Sequence, residues 1–119
     1  MNKRAAIEIV SRRRTTGLLR GSLHFANVNS RKAVWWLDLP RSEVFDLTTP
    51  VVDLVLAETD TEVHHLRVPK NWLVANIGSL AIRQAKDVIS LELSTLSHQR
   101  FRDVRPRSGR LNFAPFLVK

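Results

Sequence analysis

The chain contains no cysteine among its 119 residues. Without thiols it cannot form a disulfide, a thiolate zinc site or a cysteine nucleophile, which excludes several classes of enzyme and metal-binding domain. It has only four glycines, and it lacks the sequence motifs of phosphate-binding loops, dinucleotide sites, calcium loops, zinc proteases and serine hydrolases. We therefore expect no cofactor and no metal ion.

Long apolar runs are also missing. No stretch approaches the ~20 apolar residues that a membrane-spanning helix needs, and the N-terminal segment lacks the unbroken apolar region of a secretory signal. These absences predict a cytoplasmic protein with no membrane contact. A length of 119 residues and a hydrophobic fraction of 44% are typical of one globular domain, so we expect a single domain over residues 1–119.

Positive charge is in excess and unevenly distributed. The net charge is +8, made up of +7 over residues 1–32, −5 over residues 33–68 and +6 over residues 69–119. Arginine outnumbers lysine 14 to 5, and the planar guanidinium group suits contacts with phosphates and base edges. This composition favours nucleic acid as the partner, DNA or RNA. A genome rich in G and C, or pairing of the basic ends with the acidic middle, would also explain it.

A strand, a short helix and a hairpin are predicted in the second half of the chain. Apolar and polar residues alternate up to Pro69, which ends the strand and suits the first turn of a helix over residues 70–77. Gly78 can close this helix in a left-handed conformation. Alternation returns over residues 89–93, and residues 80–83 can pair with that strand as a hairpin.

The first half is expected to add further strands. Residues 2–14 alternate weakly, and we predict a strand there, although their composition also suits a helix. Residues 18–28 and 33–39 should form a hairpin. The nearly apolar residues 51–57 should form a central strand, and a turn over residues 58–61 should return the chain as the strand that begins at Val63. The predicted fold is α+β: a mostly antiparallel sheet of about six strands, with a partial barrel as one arrangement and one short helix near residues 70–77.

Trp35 and Trp36 are adjacent on a predicted strand, so their rings should point to opposite faces of the sheet. If one face is solvated, Trp35 lies in the core and Trp36 is exposed enough to stack on a base or to fill a pocket of a partner. A sheet covered on both sides would bury both rings.

Residues 97–112 are predicted to form a basic arm or loop, because Pro106 and Gly109 exclude a regular helix throughout. An arm tethered at both ends could follow a phosphate backbone at modest entropic cost. The apolar residues 113–118 should then dock on the core or on a second copy of the chain, which leaves a homo-oligomer as an alternative.

Arginines near both ends, together with Trp36, are the candidate contacts to nucleic acid. A basic turn is expected directly after residue 11, where side chains and backbone N–H groups could meet phosphates. Each charged run could instead be a solvated loop. The candidate residues are Arg12, Arg13, Arg14, Arg20, Trp36, Arg100, Arg102, Arg105, Arg107 and Arg110.

Two kinds of enzyme site are conceivable. A metal-free ribonuclease would use imidazoles and a guanidinium, although two of the histidines are adjacent on one strand and face opposite ways. Its candidates are His24, His64, His65 and His98. A metal-dependent nuclease would need carboxylates gathered from three predicted strands. Its candidates are Asp38, Asp53 and Glu92.

We favour a non-catalytic nucleic-acid-binding domain that uses its arginine-rich N- and C-terminal segments. The alternatives are a protein-interaction or homo-oligomeric assembly subunit, in which opposite charges of neighbouring copies meet, and a small, toxin-like, metal-independent ribonuclease. The sequence does not distinguish DNA from RNA or indicate sequence specificity.

Overall fold

The computed structural model of the chain describes residues 1–13 and 22–119. These residues form the predicted α+β class of fold, with six strands in two sheets. None of the described helices is long and apolar enough to cross a membrane. In chain order the elements are α1 (Lys3–Arg13), β1 (Ser22–Asn27), β2 (Val34–Pro40), α2 (Arg41–Val44), β3 (Val51–Ala57), β4 (Val63–Pro69), α3 (Lys70–Ala75), β5 (Ala81–Arg83) and β6 (Val88–Ser94).

The strands form two three-stranded sheets. The first sheet has the order β1-β3-β4, with β1 parallel to β3 and β3 antiparallel to β4. The second sheet has the order β2-β6-β5 and is antiparallel throughout. Because the strands are divided between two sheets, the described chain is not a closed barrel.

The inner faces of the two sheets share one hydrophobic core. Leu54 and Leu66 of the first sheet and Leu37 and Leu91 of the second are each at most 3% exposed and belong to this core. Burying a leucine side chain to this extent stabilises a fold by roughly 1.5–3 kcal/mol. Since side chains alternate along a strand, the residues between these leucines point away from the core, to the outer face of each sheet.

Helix α1 covers the outer face of the first sheet. Ala6 and Val10 are four residues apart, on the same side of the helix, and pack against Val55 and Val63 of that sheet. Asn2 is the N-cap: its Oδ1 accepts a backbone N–H of the first turn at 2.8 Å. The helix therefore closes a second, smaller apolar cluster on the side of the first sheet that faces away from the core.

The strand predicted over residues 2–14 is therefore wrong, and three α-helices are described instead of one. The alternation that suggested a strand runs through Ala5, Ile7 and Ile9, all of which stay partly exposed. Burial follows the helical spacing of Ala6 and Val10 instead.

The hairpin predicted between residues 18–28 and 33–39 is also wrong. Strand β1 pairs with β3, whereas β2 pairs along its whole length with β6. A single bridge between Val28 and Trp35 is the remaining contact of hairpin type among the described residues. The longer antiparallel pairing with β6 places the apolar face of β2, with Trp35, Leu37 and Leu39, in the core.

Three other predicted elements are confirmed. Strands β3 and β4 form a hairpin, as do β5 and β6, and α3 begins directly after Pro69. The predicted left-handed Gly78 is not observed. It lies in a 3₁₀ turn, Ile77–Ser79, that continues the helix without a positive φ.

Residues 97–112, predicted as a basic arm or loop, form no named strand, but isolated bridges and backbone hydrogen bonds attach the segment to β6. The Ser94 N–H donates to the Arg102 carbonyl oxygen at 3.0 Å, and the Phe101 N–H donates to the Ser94 carbonyl oxygen at 2.8 Å. The chain then turns back within the same segment, and the Asp103 N–H donates to the Leu111 carbonyl oxygen at 2.9 Å. Phe101 is 4% exposed, so its burial holds the segment on the core.

Residues 113–118 dock on the core of their own chain. Phe113 is fully buried and meets the edge of the Trp72 ring at a centroid distance of 5.1 Å. The Val118 N–H donates to the His65 carbonyl oxygen at 2.8 Å, which attaches the segment to the edge of β4. Docking on the core of the same chain was one of the two arrangements predicted for this segment, and docking on a second copy was the other. The homo-oligomer stays a prediction.

The adjacent tryptophans give a direct test of the fold. Trp35 is fully buried, stacks on Phe101 and donates its indole N–H to the Ala57 carbonyl oxygen at 3.0 Å, which ties the second sheet to the first. Trp35→Ala should therefore lower the free energy of unfolding by about 3–5 kcal/mol in denaturant titrations.

Trp36→Ala is the matched control, since the Trp36 ring is 39% exposed. It should cost well under half as much as Trp35→Ala. If Trp35→Ala fails to fold, Trp35→Phe serves as a milder variant. Equal costs at the two positions would contradict the described packing.

Candidate nucleic-acid interface

Trp36, a predicted contact residue, lies on the outer face of the second sheet, where polar and charged side chains surround it. Alternation along β2 points Trp36 and Asp38 away from the core, and the register of β6 places Glu92 opposite Trp36 and Ser90 opposite Asp38. Helix α1 covers the corresponding face of the first sheet, whereas here a large aromatic ring remains accessible. The prediction that the two tryptophans face opposite ways is confirmed.

Arg105 and Trp36 form a cation–π pair. The guanidinium carbon lies 5.2 Å from the centroid of the Trp36 ring. The indole N–H of Trp36 donates to the Ser90 hydroxyl at 3.2 Å, which fixes the orientation of the ring on the sheet. Such pairs are worth about 0.5–1 kcal/mol at exposed sites. The pair therefore presents a flat, partly preorganised surface with a positive charge.

The buried carboxylate of Glu92 fixes the position of Arg105 beside Trp36. Glu92 is 1% exposed, and its two oxygens accept hydrogen bonds from Lys32 at 3.1 Å and from Arg105 at 3.0 Å. Glu92 therefore holds two cations at this position, with the buried Asp103 carboxyl group beside it. Lys32, which was not among the predicted contacts, therefore belongs to the same surface as Arg105.

Asp103 shapes the turn that leads to Arg105. Its Oδ1 accepts the backbone N–H groups of Glu92 and Arg105, both at 3.1 Å. The side chain is fully buried, and this burial, together with the nearby Glu92 carboxylate, raises its pKa above the usual value, although the two N–H donors act in the opposite direction. The folded protein thus favours the protonated form of Asp103 more than the unfolded chain does.

Arg100 has a different environment from the other predicted contacts. Its guanidinium binds both oxygens of Glu58 and lies over the rings of Trp35 and Phe101. Hydrogen bonds from Arg100 lower the pKa of Glu58, and a weaker contribution comes from His64. Arg100 therefore stabilises the packing of the 97–112 segment, and its charge is already matched by a carboxylate.

The remaining predicted arginines fall into separate groups. Arg12 lies near Glu8 on α1, and Arg13 donates to the Val63 carbonyl oxygen at 2.6 Å. No described contact joins these two to the Trp36–Arg105 pair. Arg14 and Arg20 lie outside the described residues. The exposed arginines of the C-terminal half, which form no salt bridge within the described part of the chain, are Arg102, Arg107 and Arg110.

The histidines proposed for a ribonuclease site are kept apart. His24 pairs with Glu43 at 2.8 Å, and His64 pairs with Glu58 at 2.8 Å. His65 pairs with Asp53 at 2.6 Å on the opposite side of β4. His98 is exposed, and within the described residues no contact joins two of the four imidazoles. The geometry therefore does not assemble an acid–base pair of histidines.

The carboxylates proposed for a metal-dependent nuclease do not converge either. Asp53 points toward α1 on the first sheet, where it pairs with His65 and Arg67. Asp38 and Glu92 lie on the outer face of the second sheet, with the core between them and Asp53. Each of the three carboxylates also has an arginine partner at 3.3 Å or less.

Among the described residues, one group of side chains has metal-ligand spacing. Glu58, Glu62 and His64 place their donor atoms within 4.8 Å of one another. The guanidinium of Arg100 occupies Glu58 and lies 3.0 Å from the His64 Nε2. A permanent cation at this position repels a metal ion, so this group is a structural salt bridge.

The chain matches no known protein family, no curated protein and no solved structure.

The raised pKa of Asp103 makes a prediction about pH. A group whose pKa is raised by folding stabilises the fold below its unfolded pKa, and that contribution is lost as the pH rises through its folded pKa. Asp103→Asn keeps an oxygen acceptor for the two N–H donors but cannot ionise. Acidification from pH 7 toward pH 4 should therefore raise the stability of the wild-type protein relative to Asp103→Asn.

Thermal or denaturant unfolding at several pH values measures this difference. In Asp103→Asn, the amide NH₂ group would be buried at the place of the Asp103 Oδ2, which has no hydrogen-bond partner within the described residues. This burial lowers the stability of the variant at every pH, so the pH dependence of stability is compared and not its absolute value. Parallel pH profiles for the two proteins would contradict the assignment.

Proposed function

We propose that the protein is a non-catalytic nucleic-acid-binding domain whose contact surface is the outer face of the second sheet. The observation that supports this most directly is the Trp36–Arg105 pair, in which an exposed indole and a guanidinium lie together on a sheet face. Aromatic and guanidinium planes are the groups on which nucleic-acid bases stack, and arginine also binds phosphate.

The charge of this face supports the same function. Two cations, Lys32 and Arg105, lie at Glu92 on this face, and Arg107 and Arg110, which follow Arg105 in the chain, are exposed. Cations grouped in this way attract a polyanion and release its condensed counterions on binding. The proposed surface is smaller than the set of residues predicted from the sequence, since Arg100 is matched by Glu58.

Salt dependence tests the electrostatic part of this proposal. Binding of fluorescently labelled DNA and RNA oligonucleotides, measured by anisotropy between 50 and 200 mM salt, should weaken steeply as salt rises. Arg105→Gln should reduce the slope of log K against log salt by about 1. Arg4→Gln on α1 is the matched control, because that exposed arginine lies on the side of the first sheet. Its slope should be unchanged.

Two results would count against the proposal. One is the absence of binding to any oligonucleotide at low salt. The other is an equal loss of slope in Arg105→Gln and Arg4→Gln, which would indicate attraction by net charge without a defined surface.

Trp36→Ala tests the stacking part. Loss of the ring should weaken binding by about 1–3 kcal/mol while leaving the salt slope close to that of the wild-type protein, because no charge is removed. Quenching of tryptophan fluorescence by the oligonucleotide should be smaller in this variant. Wild-type affinity in Trp36→Ala would remove the indole from the proposed surface.

A further inference from the structure

A second site lies where the 97–112 segment turns back on the second sheet. The described residues there line a cavity of about 370 Å³, a volume in the range of small-ligand sites. Its walls come from the 3₁₀ turn Ser97–Gln99, from residues 100–102 that follow this turn, and from residues 112–114. A bridge between Arg102 and Asn112 joins the last two walls. We name it the Arg102 cavity. The lining residues used below are Gln99, Arg100, Phe101, Arg102 and Asn112.

The lining of the Arg102 cavity is rich in hydrogen-bond donors. Arg102 uses one N–H for the Arg110 carbonyl oxygen at 2.8 Å and forms no salt bridge within the described residues. The Asn112 Oδ1 accepts the Ala114 N–H at 3.1 Å, which leaves the amide NH₂ as the free end of that side chain. Gln99 adds a second side-chain amide, and none of the described lining residues is acidic. An anion therefore meets donors and no opposing carboxylate.

The wall of the cavity is held in one conformation. Phe101 has φ of 64°, a left-handed value that is strained for a residue with a side chain. Its buried ring stacks on Trp35 at 5.4 Å, and Arg100 lies over the same ring while bound to Glu58. Strain of this kind persists where the surrounding packing enforces it, and it is concentrated at binding sites. The donors of Arg102 and Asn112 are thus attached to a rigid support.

We propose that the Arg102 cavity binds a phosphate monoester, either at the end of a nucleic-acid strand or on a free nucleotide. A monoester has three terminal oxygens and a charge between −1.5 and −2 at neutral pH. It therefore gains more than an internal phosphodiester from the fork of Arg102 combined with two side-chain amides. The cavity is large enough for the phosphate and part of the attached sugar.

For a strand end, this inference rests on the proposed nucleic-acid function, whereas for a free nucleotide it does not. The experiment therefore has two arms. In the first, one oligonucleotide is compared in its 5′-phosphorylated, 3′-phosphorylated and unphosphorylated forms by anisotropy. In the second, a nucleoside 5′-monophosphate is compared with the nucleoside by calorimetry, and inorganic phosphate is used as a competitor.

A terminal phosphate at one of the two ends should tighten oligonucleotide binding about tenfold, as expected for a few charge-assisted hydrogen bonds. Arg102→Gln should abolish that difference. Arg107→Gln is the matched control: Arg107 is exposed, belongs to the same segment and does not line the cavity. This control should weaken all three oligonucleotides equally and preserve the tenfold ratio. Thermal unfolding of both variants checks that they are folded.

The outcomes separate the two proposals. Equal binding of all three oligonucleotides, with no affinity for the monophosphate, overturns the phosphate site and leaves the sheet-face proposal standing. Binding of the monophosphate without binding of any oligonucleotide supports the cavity and overturns the nucleic-acid function. A phosphate-dependent gain that persists in Arg102→Gln also overturns the cavity assignment.

Discussion

The stacking of Phe101 on Trp35 is the contact on which both candidate sites depend. Trp35 joins the two sheets through its hydrogen bond to Ala57, and Phe101 brings the C-terminal segment to the same point of the core. Only when this segment is fixed beside β6 can Arg105 reach Trp36 and Glu92. The hydrophobic contact therefore positions the charged groups, whose own attraction is too weak at a surface to do so.

Charge pairing within the chain decides which arginines remain available to a partner. The acidic middle of the sequence supplies Glu58 to Arg100 and Asp53 to Arg67, while Glu92 is shared by Lys32 and Arg105. Composition shows that cations are in excess but not which of them are matched, because partners lie far apart in sequence. In the structure, the cations closest to the exposed indole of Trp36 are the two that share Glu92.

The parts of the fold that were predictable from sequence are those formed by neighbouring residues. The hairpins β3–β4 and β5–β6 and the helix after Pro69 each combine a regular pattern with a local turn signal. The pairing of β1 with β3 and the insertion of Phe101 depend on contacts between distant segments. At α1, helix and strand patterns were both present, and burial of Ala6 and Val10 decided between them. Of the residues in the proposed site, Trp36 and Arg105 were predicted from the sequence, whereas Lys32 was not, because its partner Glu92 is 60 residues away.

The parallel pairing of β1 with β3 affects how the chain can be synthesised and folded. β1 leaves the ribosome before its sheet partner exists, and the chain between them enters the other sheet. The Leu66–Leu117 bridge and the Val118 hydrogen bond to His65 add further contacts between distant parts of the chain. Contacts so far apart in sequence favour slow folding. Until residues 101–113 have packed, the part of the core that Phe101 and Phe113 cover stays accessible to water and to chaperones.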